Sequence, residues 1–98
     1  MSKETVLDFR HGQTTIGVNA VQIANYPVML VRGVLLRAPG VNDTTPNTDE
    51  IWVGKVGVTA SNGMAIAPGE SMIVPVEDMS QLYAISTAGG QILAWWGQ

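Results

Sequence analysis

VTASNGMAIAPGESMIVPVEDMSQLYAISTAGGQILAWW, residues 58–96, decides the fold. Short apolar and β-branched runs alternate here with turn signals. Pro68-Gly69 fits the central pair of a type II turn, with proline fixing φ and glycine supplying a positive φ. Asn62-Gly63 has the composition of a type I′ hairpin turn, with Val58, Ala60, Met64 and Ile66 as flanking strand positions. Ala88-Gly89-Gly90 is a third tight connection, expected to pair a strand at 82–87 with one at 91–96. The strand between the first two connections and the last falls at 71–76.

Toward the N-terminus the same reading gives strands near 5–9, 14–24, 28–37 and 50–56. Eleven glycines and five prolines recur too often for helices of useful length. The expectation is an all-β fold, a single-domain β-sandwich or jelly-roll-like barrel of about seven short, mainly antiparallel strands. Residues 1–12 read as an N-terminal arm or an edge strand, and 13–98 as one β domain. The polar stretch 39–49, PGVNDTTPNTD, is a loop between strands. In VMLVRGVLLR, residues 28–37, both alternating faces are apolar: Val28, Leu30, Val34 and Leu36 on one, Met29, Val31 and Leu35 on the other. A strand of that kind is covered on both sides, by a neighbouring subunit or by its own long loop.

The chain has 98 residues, enough for one modest core. Only 13% of residues are charged, against about 25% in globular domains. Part of the surface is therefore expected to be covered by a partner or by other copies, unless Gly, Ser, Thr and Asn keep it wet. The net charge is −3, and the five basic residues, spread from Lys3 to Lys55, form no patch. Nucleic acid and anionic membranes are excluded as partners, because neutralising phosphates needs a basic footprint. No apolar run is long enough to span a bilayer. The N-terminus lacks the apolar core of a signal peptide, so synthesis in the cytoplasm is expected. With no cysteines there is neither a disulfide framework nor a thiolate metal site.

No catalytic, cofactor-binding or metal-ligating set is expected. His11 is the single histidine and sits in the polar Arg10-His11-Gly12 segment, read as an exposed turn. Glu77 and Asp78, like Asp49 and Glu50, are sequence neighbours, so on a strand each pair would split between two faces. Asp43, Asp49 and Glu50, with Asn42 and Asn47, offer oxygen atoms, but their spacing departs from an EF-hand loop. The aromatic residues are the remaining candidates for binding. Trp95 and Trp96 are adjacent, so one should enter the core while the other points outward to an interface or a ligand. Trp52, Leu82, Tyr83, Trp95 and Trp96 are the candidate core or interface anchors.

The order of these pieces resembles small virion structural proteins of tailed bacteriophages. Trp52-Val53-Gly54, Val58-Thr59 to Asn62-Gly63, Ala67-Pro68-Gly69-Glu70, Glu77-Asp78 and Leu82-Tyr83-Ala84-Ile85-Ser86 carry the resemblance, which covers about residues 33–96. It implies a non-enzymatic β-sandwich or jelly-roll-like module, often a homotrimer. Such a module binds the major capsid protein on the outer capsid surface as a head decoration (cement) or minor capsid protein. A second reading, a receptor- or carbohydrate-binding module of a tail or fibre, rests on the outward tryptophan and the loop at 42–49. A host-envelope hydrolase is the third, and it lacks a convincing carboxylate pair.

Overall fold

The computed structural model describes residues 10–24, 29–30 and 33–97. It contains eight strands: β1 Arg10–Ile16, β2 Val21–Gln22, β3 Val34–Arg37, β4 Ile51–Gly54, β5 Met64–Ile66, β6 Ser71–Val74, β7 Tyr83–Ser86 and β8 Gln91–Gly97. A 3-10 turn, Met79–Gln81, precedes β7 and is capped by the Asp78 carboxylate, which accepts from the Ser80 N–H. The strands form two antiparallel four-stranded sheets, one ordered β1-β8-β3-β6 and the other β2-β7-β4-β5. Among these strands only β4 and β5 are joined within one sheet; the chain crosses to the other sheet at each remaining connection. This is the doubly wound Greek-key wrapping of an eight-stranded jelly roll.

The alternation expected of half-buried strands sets which face is inside. Along β8, Gln91, Leu93, Trp95 and Gly97 are buried, whereas Ile92 and Ala94 are partly exposed and Trp96 is exposed. Val34 and Leu36 of β3 and Ile51 and Val53 of β4 face the same interior. Ile16, Ile66, Met79, Leu82 and Ala84 complete one continuous core between the sheets. Gly12 of β1 is small for a packing reason: a Cβ there would lie 2.8 Å from Trp95 Nε1.

Three turn expectations have different outcomes. Ala67-Pro68-Gly69-Glu70 is a type II turn, with Gly69 at φ +89° and the Glu70 N–H bonded to the Ala67 carbonyl at 2.9 Å. The Asn62-Gly63 hairpin does not form as expected. β5 pairs with β4 across the loop 55–63, and Asn62 is not at positive φ. Instead the Asn62 Oδ1 accepts the Thr59 N–H at 2.7 Å, and Gly57 takes the left-handed position at φ +90°. Ala88-Gly89-Gly90 joins β7 to β8 across the two sheets, so those strands are not paired with each other.

Other boundaries shift for local reasons. The run at 14–24 divides into the end of β1 and the two-residue β2. Residues 10–12, read as part of an arm or edge strand, belong to β1 at the edge of its sheet, so His11 lies on a strand rather than in a turn. The strand expected at 5–9 lies outside the described residues, as do Val28 and Val31. Gly33, at φ +89°, breaks the run 28–37, and β3 begins only at Val34. Pro75, which has no N–H for a ladder, follows the end of β6 at Val74.

The long loop after β3 is tied down by buried amides. In the β3–β8 register Arg37 lies opposite Ala94. Continuing that register puts Pro39 opposite Ile92, and proline cannot donate. The Asn47 side chain takes over: its Nδ2 donates to the Ile92 carbonyl at 2.8 Å, and its Oδ1 accepts the Ile92 N–H at 2.7 Å. Gln91 adds a second tie, its Oε1 accepting from Thr48 N at 2.9 Å and Asp49 N at 3.0 Å. Each buried side-chain nitrogen and oxygen among the described residues has a hydrogen-bond partner.

Candidate interface on an outer sheet face

The two sheets differ in how their outer faces are finished. On the β2-β7-β4-β5 sheet, Trp52 lies opposite Ala65 and Ile85, and Tyr83 lies opposite Gly54 and Gln22. Trp52, Tyr83 and Ile85 are half-buried. Val58, from the β4–β5 loop, is buried but separate from the main core. It sits in space left by two glycines: a Cβ on Gly54 or Gly63 would come within 2.9 or 2.8 Å of Val58 Cγ2. The added Cβ at Gly63 would also lie 2.9 Å from the Cβ of Trp52. The molecule's own loop thus folds onto this face.

The outer face of the β1-β8-β3-β6 sheet is more open. Its register aligns two rows of side chains across all four strands. The first is His11, Trp96, Leu35 and Ile73, each opposite the next. The second, two residues along, is Gln13, Ala94, Arg37 and Ser71. Trp96 is 54% exposed and Ile73 72% exposed, whereas Trp95 on the inner face is 4% exposed. Ala94, the smallest side chain on β8's outer face, is flanked by Gln13, Arg37 and Trp96. Together with His11 and Leu35 they line a groove of about 440 Å³.

Arg37 at its rim is fixed. Its guanidinium makes a forked pair with Asp43, Nη1 to Oδ1 at 3.2 Å and Nη2 to Oδ2 at 2.9 Å. The Gly40 N–H donates to the same Oδ2 at 2.7 Å. The hydrogen bond from Arg37, then that from Gly40, holds the Asp43 carboxyl below the usual carboxylate range. The hydrogen bond and charge of Asp43 raise Arg37 in turn. The rim is therefore locally charge-compensated.

Of the candidate anchors, Leu82 and Trp95 are in the core, Trp52 and Tyr83 lie half-buried on the loop-covered face, and Trp96 lies on the open face. The open face does not bring the five together. The loop oxygens at 42–50 do not converge either, because Asp43 turns to Arg37 and Asn47 to β8. No cluster of three or more His, Asp or Glu side chains suited to a metal occurs among the described residues. Sequence reasoning did not single out Ile73, Ala94 or Arg37, whose shared row positions appear only once the long-range register is known. Comparison with protein-family models, with curated proteins and with solved structures finds no match.

Proposed function

We propose that this protein is a non-enzymatic structural component of a tailed-phage virion, a head decoration (cement) or minor capsid protein that binds the major capsid protein on the outer lattice. The observation that carries this reading is the open outer face with Trp96, Leu35 and Ile73 in one row, which serves as an assembly surface. An indole and two aliphatic side chains left partly in water are the kind of anchor from which interfaces are built. The resemblance of residues 33–96 to virion structural proteins supplies the setting. The fold does not by itself specify a role, since jelly rolls host many functions. A surface of this size contributes weakly at each contact, and repetition by lattice symmetry multiplies the effect.

The test is to incubate the purified protein with empty, expanded phage heads and image them by electron cryomicroscopy. Regularly spaced density on the outer lattice is the expected result. Bare heads at saturating protein would overturn the reading.

A further inference from the structure

The geometry points to a twofold dimer in which the outer faces of two β1-β8-β3-β6 sheets pack together, Trp96 of each copy seated over Ala94 of the other. The inference rests on the reading of this face as an assembly surface and names its occupant in the free protein, a second copy of the chain, which the capsid lattice displaces on binding.

The argument comes from the two rows. Trp96 and Ala94 are two residues apart on one face of β8, so about 6.6 Å separates them. A twofold axis passing over Trp95, in the plane between the sheets and perpendicular to β8, exchanges their positions. It lays the row His11–Trp96–Leu35–Ile73 of one copy over Gln13–Ala94–Arg37–Ser71 of the other, and the reverse. Each strand then lies over its own counterpart. The matches complement in size: Trp96 over Ala94, Ile73 over Ser71, and Leu35 over the aliphatic stem of Arg37. The groove above Ala94, about 440 Å³, has room for an indole. The charges are compatible too, because each Arg37 carries its own Asp43. One surface that is its own complement is what an isologous interface requires.

The area sets the strength. Four strands about 4.8 Å apart and four to seven residues long present on the order of 300–400 Å² of flat face. That is roughly half of what each partner buries in a standard stable interface. An interface of this size class is a reversible one, so the dimer is concentration-dependent. Its twofold symmetry differs from the threefold association that the resemblance implies.

Sedimentation equilibrium of the full chain across micromolar to millimolar concentrations tests it. The expected mass rises from the 10.4 kDa of one chain to twice that value. Trp96→Ala and Ala94→Lys should each keep the protein monomeric through the same range, and Gln81→Lys, far from the face, should not. The double variant Ala94→Trp with Trp96→Ala exchanges knob and hole within one chain and should restore the dimer. Circular dichroism and thermal melting of each variant separate loss of association from loss of fold. A monomer at all concentrations, a trimer, a dimer indifferent to both single substitutions, or a folded double variant that stays monomeric would overturn the inference. Wild-type protein that decorates heads while remaining a monomer refutes the dimer alone. A dimer that leaves heads bare, at protein concentrations below its midpoint as well as above it, refutes the virion reading alone.

Discussion

Leu35 and Trp96 stand directly opposite each other on β3 and β8, and their chain neighbours Leu36 and Trp95 stand opposite on the reverse face of the same two strands. One pair faces the core and the other faces out. The sheet is therefore apolar on both sides across its two central strands. Two substitutions of the same residue type should consequently behave very differently. Trp95→Ala empties a buried indole site and should cost roughly 3–5 kcal/mol of folding stability. Trp96→Ala should cost under about 1 kcal/mol in the monomer. Urea denaturation of each, with unchanged slope, is the measurement.

Gly12 should resist enlargement. An alanine Cβ there meets Trp95 Nε1 at 2.8 Å, and the indole cannot retreat freely within the core. Gly12→Ala is expected to destabilise by about 1–3 kcal/mol through overpacking. Intrinsic fluorescence should report a displaced tryptophan, and an unchanged midpoint and spectrum would contradict the packing described.

Asn47 substitutes for the N–H that Pro39 cannot provide. Asn47→Ala leaves both the N–H and the carbonyl of Ile92 without their partner. A loss of roughly 2–3 kcal/mol is expected, since unsatisfied buried groups incur their desolvation cost. Hydrogen exchange at the Ile92 amide should accelerate by orders of magnitude, more than at Leu36 in the middle of the sheet.

Acid should loosen the loop after β3 at Asp43. Its folded-state pKa is depressed by Arg37 and Gly40. The contribution is therefore fully present above the unfolded carboxylate value, about 3.9. It is lost as pH falls through the lower, folded value. Carbon-detected NMR titration should find the Asp43 midpoint below those of unpaired aspartates. Asp43→Asn should remove this part of the acid response, and salt should weaken it because the pair is exposed.

The legibility of the fold in the sequence followed the range of the interactions. Pro68-Gly69 fixes its turn through the backbone of two adjacent residues, so it was readable. The adjacency of Trp95 and Trp96 likewise forced a division between faces. Pairing across sheets was not readable, because the turn at 88–90 has the same chemistry whether a chain doubles back or crosses over. β5 was expected only as the second arm of a hairpin at 62–63, whereas its partner is β4 and not the stretch 58–60. The Asn47–Ile92 tie spans 45 positions and has no local signature. The candidate interface depends on a register between β1, β8, β3 and β6, so only Trp96 and Leu35 were visible beforehand, and not that they stand opposite each other.

The position of β8 has a consequence for synthesis. Among the described strands it comes last in sequence, yet it lies between β1 and β3 in its sheet. A nascent chain on the ribosome therefore holds β1 and β3 with their facing edges open until residues 91–97 have emerged. The β4–β5 hairpin can close early, but the sandwich cannot. Closure of the sandwich therefore waits for β8, which slides into a slot between two strands made much earlier.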